Sequence, residues 1–257
     1  ELSNLLSVAL PKTRFSEMIL DEATHARLGR IINEQRNFEK IRAHGLSPRR
    51  KLLLVGPPGT GKTMTASALA GELGIPLYIV RLDSLITKYM GETAAKLRQI
   101  FDAIRDTRGI YFFDEFDAIG SQRGLANDVG EIRRVLNSFL QMIEQDQSNS
   151  LIIAATNHPE ILDYALFRRF DDVIEYGLPN QEQTKAVLKN RLANFSKSIR
   201  SWDKLCKVAE GLSHAELARA ADDAIKDTII HDRTEMAVKD VERHLEERKT
   251  FHGRRHS

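Results

Sequence analysis

The chain has 257 residues, 29% of them charged and 42% hydrophobic, and a formal net charge of +2 at neutral pH. Such a composition supports a sizeable core in one or two soluble globular domains and carries no general polyanion signature. No apolar run reaches the roughly 20 residues of a membrane helix and no signal segment opens the chain, while the single cysteine, Cys206, rules out an internal disulfide or a cysteine-rich zinc site. A cytoplasmic protein is expected.

In chain order, Leu28, Ile31, Ile32, Gln35 and Phe38 recur at helical spacing and predict a helix ahead of the first strand. A basic group, Arg49-Arg50-Lys51, leads into the apolar run at 51–55, the first of five short buried strands; the others are expected at 77–82, 109–113, 151–155 and 172–176. Directly behind the first lies Gly56-Pro57-Pro58-Gly59-Thr60-Gly61-Lys62-Thr63. In a Gly-x-x-x-x-Gly-Lys-Thr run the glycines let backbone N–H groups turn inward around phosphates. The lysine reaches the β and γ oxygens, the threonine hydroxyl is placed for Mg²⁺, and the following helix adds its positive end. A nucleoside triphosphate site is therefore expected here, with ATP and Mg²⁺ as ligands.

Helical spacing returns at Leu97, Ile100, Phe101 and Ile104, and again at Ile132, Val135, Leu136, Phe139, Leu140 and Ile143. Between them Ile110-Tyr111-Phe112-Phe113 ends in the adjacent carboxylates Asp114 and Glu115, suited to hold a metal and to act as general base on an attacking water. The strand at 151–155 ends in Thr156-Asn157, a polar pair able to orient water. Phe167-Arg168-Arg169-Phe170 sets two permanent cations between apolar residues, and guanidinium neutralises charge on a transferring phosphoryl group. Strands alternating with helices imply a mostly parallel sheet covered on both faces.

After Leu178-Pro179 only helical patterns remain. They run through Val187, Leu188, Arg191, Leu192 and Phe195; through Leu205, Val208, Ala209 and Leu212; and, from a capping box at Ser213 to Glu216, through Leu217, Ala220, Ala221, Ala224 and Ile225. Cys206 reads as a small apolar filler on the second of these. His214 reads as a surface residue at a helix start, and Arg248, Lys249, Arg254 and Arg255 as a solvated basic end.

Taken together, Gly56 to Thr63, Phe112-Phe113-Asp114-Glu115-Phe116-Asp117, Ala155-Thr156-Asn157 and Leu162-Asp163-Tyr164-Ala165-Leu166-Phe167-Arg168-Arg169-Phe170 resemble the AAA+ ATPases, specifically the classical AAA subgroup with katanin, spastin and FtsH-like ATPase modules. The resemblance implies an α/β module: a five-stranded parallel sheet of order 5-1-4-3-2 sandwiched by helices in a nucleotide-binding subdomain (1–177), then a helical lid (178–257). It implies Lys62, Thr63, Asp114, Glu115 and Asn157 acting in cis, Mg²⁺ on Thr63 and Asp114, nucleotide contacts along Gly56 to Thr63 and at Met64, Ile19 and Ala215, and Arg168 and Arg169 acting on the neighbour in a homo-oligomeric, usually hexameric ring. Ser84 to Thr93 is similar to a first pore loop, with Lys88, Tyr89, Met90 and Gly91 facing protein substrate in the central channel, and 122–128 to a second. His214 stands where glycine is usual, and the arginine segment lacks the Pro-Gly insertion of many members.

The expected activity is Mg-ATP hydrolysis coupled to remodelling, unfolding or threading of proteins. Two alternatives stay open: a nucleotide-switched assembly factor on DNA or a DNA-bound complex, and an ATPase serving a separately encoded peptidase or effector, since no His-Glu-x-x-His follows the lid pattern. The near-neutral charge and the pore triplet argue against nucleic acid. Glu1 stands where a starting Met would, so the sequence leaves open that it is the catalytic piece of a longer protein, whose N-terminal region selects the substrate in relatives.

Overall fold

A computed structural model describes residues 2–85, 90–116, 129–161, 164–197 and 199–253. Two compact units are built from it. One comprises Glu1–Met18, Glu22–Gly56 and Lys62–Tyr176; the other comprises Ile19–Asp21, Pro57–Gly61 and Gly177–Ser257.

The first unit holds one sheet, formed by β1 (Leu6–Ala9), β2 (Lys51–Val55), β3 (Leu77–Val80), β4 (Ile110–Phe113), β5 (Leu151–Thr156) and β6 (Asp172–Glu175). Its order is β1-β3-β4-β5-β2-β6. The last five are parallel and keep the expected 5-1-4-3-2 order. The expected five-stranded sheet is corrected in one respect: β1 extends it to six, antiparallel to β3 from Leu6 opposite Val80 to Ala9 opposite Leu77. Four residues with no turn signal give little local indication of a strand; pairing with the otherwise open edge of β3 makes one. The strand expected at 77–82 stops at Val80, because Leu82–Leu85 coils into a short helix, α5.

Helices cover the sheet: α1 (Leu2–Leu5), α2 (Glu22–Arg36), α3 (Phe38–Ala43), α4 (Lys62–Leu73), α6 (Met90–Asp106), α7 (Val129–Gln145) and α8 (Tyr164–Phe167). The helix read from Leu28 to Phe38 is thus two, interrupted at Asn37. All four β4 side chains are fully buried, as a central strand with both faces covered requires. Leu97, Ile100 and Ile104 of α6 and Val135, Phe139 and Ile143 of α7 share one core with Tyr111 and Phe113. Phe139 meets Phe113 edge-on at 4.9 Å and Phe116 at 4.5 Å, so the chain is anchored on both sides of Asp114-Glu115. The buried Tyr111 hydroxyl donates to the Ala103 carbonyl at 2.8 Å, and burial raises its pKa, keeping the donor proton in place.

The N-terminal end of β2 is held by charge. Arg50, 8% exposed, pairs with the Asp146 carboxylate, which is itself almost wholly buried. Asp171 accepts from the N–H groups of both Arg50 and Lys51 at 2.9 Å, and its own N–H donates to the Lys51 carbonyl at 2.7 Å. The segment leading into β6 is therefore fixed to the start of β2.

The second unit is helical: α9 (Gln181–Arg191), α10 (Trp202–Val208), α11 (His214–Ile230) and α12 (Val238–Gly253). Leu188, Leu205, Leu217, Ala221, Val241 and Leu245 meet in its core. Capping boxes start two of the helices, Asn180 with Gln183 and Ser213 with Glu216. Phe195 lies beyond the end of α9, and α12 adds a helix the sequence reading did not anticipate, its apolar positions being diluted by a charged run.

Candidate active site

In the first unit Gly56, Lys62, Thr63, Asp114, Glu115 and Asn157 come at or just after the C-terminal ends of strands β2, β4 and β5. Gly56 leaves β2 with φ +151°, and its N–H donates to the Thr156 carbonyl at 3.2 Å. A Cβ at this position would lie 2.3 Å from the Tyr176 carbonyl oxygen, so only glycine lets the chain turn here. Lys62 opens α4; it is 6% exposed, and its ammonium donates to the Gly56 carbonyl at 2.7 Å, folded against the first residue of the loop. One residue on, the Thr63 hydroxyl donates to Asp114 Oδ2 at 3.2 Å. The parallel register that sets Val55 beside Thr156 also brings Asn157, half-buried, to the end of the neighbouring strand. Tyr176, which the sequence reading missed, closes the floor through a 2.6 Å hydroxyl contact with Thr65. Its position one residue past β6 was the only signal for it.

Glu115 has a left-handed backbone, φ +49°, and its N–H donates to its neighbour's Asp114 Oδ1 at 2.9 Å. A non-glycine residue in that region is costly and is held here by buried Phe113 before it and buried Phe116 after it. The turn leaves the Glu115 side chain exposed while Asp114 stays directed at Thr63.

The second unit gathers the tip of the phosphate loop, Pro57–Gly61, with Ile19–Asp21 and the start of α11. Thr60 donates its hydroxyl to the Pro57 carbonyl at 2.7 Å. Gly59, φ +76°, accepts from the Ala215 N–H at 3.0 Å, and a Cβ on it would strike the Ser213 hydroxyl at 2.6 Å. Ile19, Gly59 and Ala215 thus come together within one unit.

His214, expected at the surface, is instead half-buried, and both ring nitrogens are sealed from solvent without a well-formed hydrogen bond. Burial lowers its pKa, with the Ile19 backbone partly offsetting this. A histidine whose folded pKa lies below its unfolded value of about 6.5 leaves stability untouched above neutrality and removes it as pH falls through that value, because the unfolded chain takes the proton more readily. The thermal midpoint of the protein is expected to fall between pH 7.5 and 5.5, and His214→Gln to reduce that fall. An identical fall in both proteins would contradict the assignment.

Arg168 and Arg169 lie elsewhere. They precede β6, whose lead-in residue Asp171 is bonded to the N-terminal end of β2, whereas Lys62 follows the C-terminal end. The length of β2 alone separates these two edges of the sheet by roughly 13 Å. Arg169 pairs with Glu144 on α7, and Arg168 is exposed. Lys88, Tyr89 and the expected second pore loop at 122–128 fall outside the described residues; Met90 and Gly91 open α6. Met64 is exposed in the first turn of α4.

Among the described residues no three His, Cys, Asp or Glu side chains cluster as a metal site. The Thr63 hydroxyl and the Asp114 carboxylate do offer two adjacent oxygens, the donor set that Mg²⁺ uses when most of its other ligands are water and phosphate. No described helix is long and apolar enough to cross a membrane.

Residues 52–178 match the family described as "ATPase family associated with various cellular activities (AAA)". An uncharacterized AAA family ATPase, y4kL, of Sinorhizobium fredii is 38% identical over 237 residues, covering 92% of this chain and 72% of that one. The ATP-dependent zinc metalloprotease FtsH 4 of Sphaerobacter thermophilus is 34% identical over 222 residues, which make up 83% of this chain but only 34% of that protein's length. The crystal structure of the FIGL-1 AAA domain superposes with a TM-score of 0.74 at 24% identity, covering 95% of this chain and 85% of that one, and so shares the fold. The chain belongs to the AAA family of ATPases and hydrolyses ATP.

Proposed function

We propose that the chain is the motor module of a homo-oligomeric, hexameric ring that spends Mg-ATP on remodelling, unfolding or threading protein substrates through a central pore, in the cytoplasm. The observation that carries the ring is the separation of Arg168 and Arg169 from the chain's own Lys62 and Asp114 by the length of β2. Guanidinium groups on the opposite edge of the sheet are out of reach of the chain's own triphosphate, which supports a role on another copy's.

In this reading residues 1–177 bind nucleotide and 178–257 form the lid. Lys62 and the loop from Gly56 to Thr63 hold the phosphates, and Thr63 and Asp114 hold Mg²⁺, which supplies charge neutralisation when bound. Glu115 accepts the proton of the attacking water, Asn157 orients that water, and Met64, Ile19 and Ala215 flank the rest of the nucleotide. Tyr89, with Lys88, Met90 and Gly91, offers a flat apolar ring to an extended polypeptide without demanding sequence.

FtsH 4 is named a metalloprotease; this chain spans about a third of its length, and the sequence contains no His-Glu-x-x-His. Tyr89→Ala is the direct test. It is expected to keep ATP hydrolysis within about twofold of the parent and to lose unfolding of a model protein substrate with an unstructured tail; normal unfolding by the variant would reject threading.

A further inference from the structure

Tyr176 meets both stems of the phosphate loop. The chain enters that loop at Gly56, after β2, and leaves it into α4 at Lys62. At the first stem the Tyr176 N–H donates to the Val55 carbonyl at 2.7 Å, and the Tyr176 carbonyl oxygen is the atom that a Cβ on Gly56 would strike. At the second stem the Tyr176 hydroxyl lies 2.6 Å from the Thr65 hydroxyl on the first turn of α4, at the short end for a bond between two hydroxyl groups. Thr65 is 0% and Tyr176 7% exposed, so solvent does not compete for this bond.

Helix geometry says what the bond controls. Successive residues step round an α-helix by about 100°, which sets Lys62 beside Thr65 and Thr63 on nearly the opposite side. A turn of α4 about its axis therefore moves both. A rotation of about 15° shifts an atom about 4 Å from the axis by about 1 Å. The flexible four-carbon stem of Lys62 absorbs such a shift, whereas the Thr63 hydroxyl sits directly on Cβ and cannot. Its 3.2 Å bond to Asp114 would part, and a misplacement of about 1 Å costs up to about 10²-fold in rate. Packing defines the rotation weakly: apart from Leu69, the buried residues of α4 beyond Thr65 are Ala66, Ala68, Ala70 and Gly71, with no long side chains to lodge between neighbours.

We infer that Tyr176 is a positioning residue for ATP hydrolysis: through its hydroxyl bond to Thr65 it sets the rotation of α4 and so aims the Thr63 hydroxyl at Asp114, while its backbone holds the other stem at Gly56. The inference rests on the metal-holding role given above to Thr63 and Asp114. Tyr176 acts through Thr65 and takes no part in the chemistry itself.

The test uses the full chain carrying Tyr176→Phe, Thr65→Val, both together, or Thr65→Ser, with Thr63→Ala as reference. Turnover is followed against Mg²⁺ concentration at saturating ATP, the affinity for a fluorescent ATP analogue is measured without Mg²⁺, and thermal midpoints report folding. Tyr176→Phe is expected to lower kcat about tenfold and to raise the Mg²⁺ concentration for half-maximal turnover at least about threefold, with metal-free affinity within about twofold of the parent's. Thr65→Val should do the same, the combined variant no more than either alone, and Thr65→Ser, which keeps the hydroxyl, should match the parent. Should Tyr176→Phe fold poorly, Thr65→Val against Thr65→Ser reads the same bond from the helix side. An unchanged Mg²⁺ requirement in Tyr176→Phe, where Thr63→Ala raises it, would overturn the positioning role and leave the metal assignment standing. Losses that add in the combined variant would overturn it as well, since the two side chains would then act separately. If Thr63→Ala itself leaves the Mg²⁺ requirement unchanged, the metal assignment fails and the inference with it.

Discussion

The Glu115→Gln variant is expected to bind ATP as tightly as the parent and to turn it over about 10²- to 10⁴-fold more slowly, the range that a general base supplies. Glutamine keeps the size of the side chain and the left-handed turn of the backbone, φ +49°, but cannot take a proton. The phosphate cradle is untouched, because Lys62 and Gly56 hold each other and Thr63 bonds to Asp114 rather than to Glu115. Binding measured by a fluorescent ATP analogue and turnover by phosphate release separate the two effects. A loss of binding equal to the loss of turnover would mean that Glu115 shapes the site instead of acting on water.

Arg168→Ala is expected to lower turnover by about 10³-fold, the lower end of what a transition-state guanidinium provides, again with ATP binding retained. Arg169→Ala should cost less. Its guanidinium is paired with Glu144 on its own chain, and that pair would have to be exchanged before Arg169 reached a neighbour's phosphate. The distinction is testable through protein concentration: the parent's activity per protomer rises as copies associate, and that of Arg168→Ala stays flat. Equal activity of Arg168→Ala and parent at high concentration would remove this arginine from the chemistry.

Much of this site is visible in the sequence because its chemistry is tied to local backbone. The run from Gly56 to Thr63 must turn in left-handed conformations and then start a helix, and only a glycine-rich pattern behind an apolar strand does that. Ile110 to Phe113, an unbroken apolar run, has to be a central strand, and the carboxylates after it then fall at a strand end. What stayed hidden depends on distant pairing. β1 is a strand because β3 has an edge to offer, the strand after Leu77 ends early because Leu82 begins a helix, and α12 is fixed by Val241 and Leu245 packing into a core that a charged run does not advertise. The burial of His214 belongs to the same class: nothing in Ser213-His214-Ala215 signals that the segment docks on Gly59 through the Ala215 N–H. The arginine edge is intermediate, since the residues are plain in the sequence but only the register of β2 with β6 shows that they face away from their own phosphate loop.

The account turns on a site completed by two copies, and subunit mixing tests it most directly. Glu115→Gln protomers and Arg168→Ala/Arg169→Ala protomers are each nearly inactive alone, but mixed rings contain boundaries where an intact Glu115 faces intact arginines. Mixing equal amounts is predicted to restore ATP turnover well above the sum of the separate preparations, with a maximum near equal proportions. Activity of the mixture no greater than that sum, together with full turnover by a dilute, strictly monomeric parent, would contradict it.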